Sequence, residues 1–229
     1  MKHLFVLKDK SIESLIESYK KFLKLSKTVD KQYLEKLTDS YQRFIKKHFT
    51  EEEFQNLNLE IINSLKPLSI IKIPRNLDLL VRLLAFLGKL DITITDDRKI
   101  TMLMGAARLN LKNLADALIK AGTDINAKDE DGKTALIWAS GVGHDKMVEL
   151  LIKAKANLNE IDSTERNALM SLIANSGPYQ HHTDAAKLLI DAKIDLSAKD
   201  KFGWTALMLA QMRSEKEIVD MLLQAGAKE

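Results

Sequence analysis

Residues 129–156 read DEDGKTALIWASGVGHDKMVELLIKAKA, and the same pattern stands four times in register through residues 91–229. With the hydroxyl or amide at Thr101, Thr134, Asn167 and Thr205 as the anchor, successive copies lie 33, 33 and 38 residues apart. A leucine follows each anchor by two positions, at Leu103, Leu136, Leu169 and Leu207. Further along, with five extra residues in the third copy, Leu118, Leu151, Leu189 and Leu222 align, as do Ala121, Ala154, Ala192 and Ala225. A period of this length with paired apolar stretches means stacked helix-turn-helix units, each burying its apolar faces against its neighbours.

Local chemistry supports that division. Asp131-Gly132 is a turn pair, since glycine accepts a positive φ without a Cβ clash. Thr134 carries a hydroxyl suited to cap the helix that follows, and Asn167 keeps that capability in the third copy. Gly122 and Gly226 stand where a helix should close in the left-handed conformation. Lys155 and Lys193 occupy the same place in the other two copies. If they adopt that conformation, each costs roughly 1 kcal/mol.

The repeat, best seen in Asp129 to Leu136, Gly143-His144 and Val148 to Ile152, resembles the ankyrin repeat. The resemblance covers 91–229 well and 77–90 weakly. Where the family has Thr-Pro-Leu-His, this chain has Thr101-Met-Leu-Met104, Thr134-Ala-Leu-Ile137, Asn167-Ala-Leu-Met170 and Thr205-Ala-Leu-Met208. Alanine is a good helix former in place of the proline. Apolar packing must stand in for the hydrogen bonds of the missing histidine.

Upstream, residues 10–66 read as three amphipathic helices. Ile12, Leu15, Ile16, Tyr19, Phe22 and Leu23 form one stripe. Asp30 caps a second helix carrying Leu34, Leu37, Tyr41, Phe44 and Ile45. Thr50-Glu51-Glu52-Glu53 opens a third as a capping box, with Phe54, Leu57, Ile61 and Leu65 on its apolar face. Residues 77–87 are apolar on nearly every side, the pattern of a buried helix. Asp91-Ile92 precedes Asp124-Ile125 by 33 residues, so 77–90 keeps the repeat phase. The expected architecture is therefore all-α: an ankyrin-type helical solenoid with short hairpin loops over 67–229, preceded by an N-terminal helical capping domain over 1–66. Within the solenoid, 67–90 is a degenerate half-repeat and 91–229 holds four repeats.

With 45% hydrophobic and 29% charged residues the composition is that of a soluble globular protein. There are no cysteines, which removes disulfides and thiolate metal sites. No run reaches the roughly 20 apolar residues of a membrane span, and the N-terminal apolar stretch is short for a signal peptide. A cytoplasmic monomer is the expectation; export to a host cell without a cleavable signal is the other setting. The net charge of +3 divides into +6 over residues 1–90 and −3 over 91–229. A basic helical segment can meet nucleic acid, but a solvated amphipathic face explains it with less.

By the resemblance, such a stack binds another protein through hairpin tips and the concave face of the first helices, without enzymatic activity, cofactor or metal. The positions this implies are Arg98, Asp131, Lys133, Arg166, Phe202 and Trp204 at the hairpins, with Val142 on the helix side. Tyr179 joins them in the Gly177-Pro178 insertion, because loops on rigid scaffolds carry function. Two aromatics flanking a turn glycine, Phe202 and Trp204, offer contact area at low entropic cost and are the preferred anchors. Trp138 sits at a packing position and reads as core. His181 and His182 lack the further ligands a zinc site needs. Two other readings remain: a bacterial secreted effector whose N-terminal helices act while the repeats target it, and a nucleic-acid binder using the basic segment.

Overall fold

The computed structural model describes residues 7, 10–64, 77–175 and 182–228, with the side chains of 12, 62–64, 77 and 78 excepted. Among these residues there are twelve helices and one isolated bridge, Thr95 with Thr101, but no strand. Contacts divide the chain into two compact units, Met1–Ile94 and Thr95–Glu229.

In the first unit, α1 (Ile12–Ser26), α2 (Lys31–His48) and α3 (Glu51–Ser64) start where the sequence supplies caps, and α4 (Leu77–Phe86) follows. The backbone N–H of Ser14 donates to Ser11 Oγ, that of Tyr33 to Asp30 Oδ1, and that of Glu53 to Thr50 Oγ1. Thr50 N–H returns a bond to the Glu53 carboxylate, completing the capping box. Leu15, Ile16, Tyr19 and Phe22 of α1 are buried, as are Leu37, Tyr41 and Ile45 of α2. Phe22 stacks on Tyr41 with centroids 4.7 Å apart, and Tyr19 and Phe86 complete an aromatic cluster. The Tyr41 hydroxyl lies 2.7 Å from Ser18 Oγ, so its polar end is satisfied, while burial pushes its pKa up.

Helix α4 packs on α1 and α3. Asn58, fully buried on α3, donates to the carbonyls of Phe54 and Lys89 and accepts from the N–H of Asp91. One amide thereby ties α3 to the segment that leaves α4. The sequence boundary after residue 66 groups 67–90 with the repeats; by contacts the division falls after Ile94. Asn76, Leu65 and Pro67 lie outside the described residues.

The second unit consists of four helix pairs: α5 (Met102–Arg108) with α6 (Lys112–Lys120), α7 (Ala135–Val142) with α8 (Asp145–Lys153), α9 (Ala168–Asn175) with α10 (Thr183–Asp191), and α11 (Ala206–Met212) with α12 (Lys216–Gln224). First helices form one row, α5–α7–α9–α11, and second helices another, α6–α8–α10–α12. Helices of seven to nine residues are too short to persist alone in water. Their stability comes from the shared core, where both aligned leucine columns are buried in every repeat. Each buried leucine is worth roughly 1.5–3 kcal/mol.

The anchor residues cap the first helices as their chemistry suggests. Thr101, Thr134 and Thr205 accept from the N–H groups of Met104, Ile137 and Met208 at 3.2–3.3 Å, and Asn167 Oδ1 accepts from Met170 at 3.0 Å. Ile137 and Met170 are buried where the family carries histidine, so apolar packing stands there; Met104 is buried as well, but its Sδ accepts from the Thr101 N–H at 3.4 Å and closes a capping box. Gly122 and Gly226 are left-handed, both at φ 89°, and so are Lys155 at 63° and Lys193 at 67°.

Candidate functional site

Each repeat begins with a hairpin whose geometry is set by one aspartate. Asp96, Asp129, Asp162 and Asp200 recur with the anchor spacing, and in each case Oδ1 accepts from the backbone N–H groups two and four residues on. The aspartate N–H in turn donates to the carbonyl of the residue four positions on, at 3.0–3.2 Å in all four. Position three is left-handed throughout, filled by Lys99, Gly132, Glu165 and Gly203. Asp129, Asp162 and Asp200 are buried, their charge held by these oriented N–H groups.

Neighbouring hairpins are bonded to each other. Glu130 N–H donates to the Arg98 carbonyl at 3.0 Å, Ser163 N–H to Asp131 at 2.7 Å, and Lys201 N–H to Thr164 at 3.1 Å. Side chains add a second set of ties: Arg98 Nη2 to Asp131 Oδ2 at 2.6 Å and Arg166 Nε to Asp200 Oδ2 at 3.1 Å. The first pair is exposed and contributes little. In the second, the carboxylate is only 3% exposed, so its loss would leave a cation without its partner.

Along this ladder, Phe202 is 65% exposed and Trp204 is 38% exposed. Lys201 Nζ stands 5.1 Å from the Phe202 ring centroid. Neither aromatic is packed away, and the backbone that carries both is fixed by Asp200.

Between the second and third repeats the first helices and hairpins enclose a groove of about 320 Å³ lined by Asp131, Lys133, Trp138, Gly141, Val142 and Arg166, among others. Gly141 and Asn175 both line it, and a Cβ at Gly141 would meet Asn175 Nδ2 at 3.0 Å. Val142 is exposed on its helix side. Trp138 is half-buried in the groove wall, which corrects its assignment to the core. It is held there because Nε1 donates to Asp129 Oδ2 at 2.8 Å, a tie that a bulky apolar residue would not need. Lys133 Nζ lies 4.6 Å from its ring and the Arg108 guanidinium 5.5 Å. Burial lowers the Arg108 pKa, yet arginine remains charged at any ordinary pH.

Asp131, Lys133, Arg166 and Val142 thus meet in one groove. Arg98 reaches that group through Asp131. Phe202 and Trp204 belong to the next hairpin, and Tyr179 and His181 lie outside the described residues. The bracket aspartates and the Trp138–Asp129 bond were missed from the sequence, although the aspartates repeat as regularly as the threonines. His182 is buried at the start of α10 against Gly143, with no hydrogen-bond partner for either ring nitrogen among the described residues. Among those residues no helix is long and apolar enough to cross a membrane.

The family model described as ankyrin repeats (3 copies) matches residues 70–162 and 154–229. No curated protein matches the chain.

Proposed function

Because the chain belongs to the ankyrin-repeat family, whose repeats mediate protein–protein interaction and are typically non-enzymatic, we propose that it is a binding scaffold whose hairpin edge and first-helix face grip a partner protein. The observation that carries this reading is the fourth hairpin. Two large aromatics stand exposed on a backbone already fixed by four hydrogen bonds around Asp200. Little ordering entropy then opposes their burial in an interface. Truncating such anchors commonly costs a complex about 2 kcal/mol or more.

The test is affinity capture from native lysate by the full chain beside a Phe202→Ala/Trp204→Ala double variant. A protein held by the wild type and selectively lost from the variant supports this surface as the binding face. Identical captures would overturn it.

A further inference from the structure

In the first unit positive charge gathers at one place on the surface. Lys21 and Lys24 on the last turns of α1, Lys27 in the turn that follows, and Lys31 and Lys36 on the first turns of α2 are all exposed. The Ser18 and Tyr41 hydroxyls, 2.7 Å apart, hold the two helices side by side, so these five lysines surround the turn at residues 27–30. Among the described residues none of them forms an ion pair, whereas the neighbouring Lys20 is paired with Glu17 at 2.7 Å. Only Asp30 and Glu35 carry negative charge between residues 21 and 36, and Asp30 is engaged as the cap of α2. Apolar side chains sit amid the lysines. Leu25 and Val29 are half-buried, and the Tyr33 ring is 42% exposed.

We propose that this turn docks on the surface of an anionic phospholipid bilayer, its ammonium groups meeting the acidic headgroups while Val29 and Tyr33 settle at their level. The inference concerns the first unit and goes beyond the scaffold reading of the repeats. A cluster of four to eight cations beside an amphipathic helix matches the negative potential of an acidic leaflet. A ring with one polar end, as in Tyr33, favours the boundary between headgroups and acyl chains. Lysine suits such a surface, because its flexible stem follows headgroups that rearrange laterally and set no fixed geometry. Nucleic acid asks for more. Phosphate backbones are gripped best by the planar fork of arginine. The only arginine of α1 and α2, Arg43, stands roughly three helical turns beyond Lys31, with Nε on the Asp39 carbonyl at 3.2 Å. Successive bases also need several stacking rings, and Tyr33 is the only exposed large aromatic among the described residues of this unit.

The test is sedimentation of the full chain with phosphatidylcholine vesicles containing about 30% phosphatidylserine, beside vesicles of phosphatidylcholine alone. Partition onto the anionic vesicles only is expected, falling as salt is raised from about 0.1 M to about 0.5 M. Lys24→Gln/Lys27→Gln/Lys31→Gln should lower it on the order of a hundredfold, at roughly fivefold per lysine. Lys27→Gln alone should lower it about fivefold, so the reading does not hang on how the triple variant folds. Lys112→Gln/Lys146→Gln/Lys187→Gln, exposed on the second helices of the stack, removes the same charge elsewhere and should change partition by less than about threefold. Tyr33→Ser should weaken it about threefold. No partition onto anionic vesicles, equal partition onto neutral ones, equal losses in the two triple variants, or indifference to Lys27→Gln or Tyr33→Ser would each overturn the proposal. So would tighter binding of an oligothymidylate of about 15 nucleotides with the same dependence on the lysines.

Discussion

At Lys155 and Lys193 the chain leaves its helix with φ 63° and 67°, as it does at Gly122 and Gly226 with φ 89°. A Cβ in that conformation crowds the backbone, and glycine avoids the clash. Lys155→Gly is expected to stabilise the protein by about 1 kcal/mol and to raise its melting temperature by roughly 2–4 °C, read by calorimetry. A lower melt would mean that the lysine stem contributes packing that outweighs the strain. His182 is the other residue with a thermodynamic consequence. Its ring occupies the space that a Cβ at Gly143 would need, 2.0 Å from Nδ1. Burial holds its pKa below the ordinary 6.5, opposed by Glu215 and reinforced by Arg213. The unfolded chain thus takes up its proton at a higher pH than the folded one. Stability from this group is fully present above pH 6.5 and declines as pH falls toward the folded value. Urea midpoints at about pH 7.5 and about pH 5.5 should show that decline in the wild type and a shallower one in His182→Gln. Equal slopes would place the pH sensitivity elsewhere.

At the scale of the element, the hairpin bracket is the unit that repeats. One carboxylate oxygen organises two backbone N–H groups in each copy, and the fourth also anchors Arg166 from the preceding hairpin. Asp200→Ala removes all three acceptor roles at a buried position and is expected to cost about 3 kcal/mol, measured by urea denaturation. It should also release Phe202 and Trp204 from their fixed presentation. A loss below about 1 kcal/mol, the scale of a single ordinary hydrogen bond, would mean that water replaces the carboxylate there. Periodicity alone disclosed the helices and the threonine caps, because those follow from residue spacing within one turn. Asp96, Asp129, Asp162 and Asp200 were equally regular, but their partners are backbone groups that exist only once the turn has formed. The case of Trp138 is similar: its position suggests packing, and only the Asp129 carboxylate beside Nε1 makes it a groove wall.

For the whole molecule, the two compact units differ in how far composition and spacing specify them. In Thr95–Glu229 each helix pair contacts its sequence neighbours, so order along the chain is order in the stack. Surface anchors should then be separable from stability. The Phe202→Ala/Trp204→Ala variant is expected to melt within about 1 °C of the wild type, since neither side chain is buried. A larger drop would show that the pair serves packing. In Met1–Ile94 the stripes on α1, α2 and α3 announced amphipathic helices, and the burial of Leu15, Leu37, Tyr41, Phe54 and Ile61 follows them. Which stripes meet was not legible. The Phe22–Tyr41 stack, the Ser18–Tyr41 hydroxyl pair and the Asn58 tie to Lys89 and Asp91 join residues 19 to 33 positions apart through geometry that no period encodes.

Sequence by itself determined the repeat, its helix caps, its left-handed closures and hence the family, because each depends on interactions spanning a few residues and returning at a constant interval. Tertiary structure alone decided which side chains stay available to a partner. Exposure at Phe202, the groove beside Gly141 and the engagement of Asp131 by Arg98 all depend on what the adjacent repeat places against them, and burial is a property of neighbours in space.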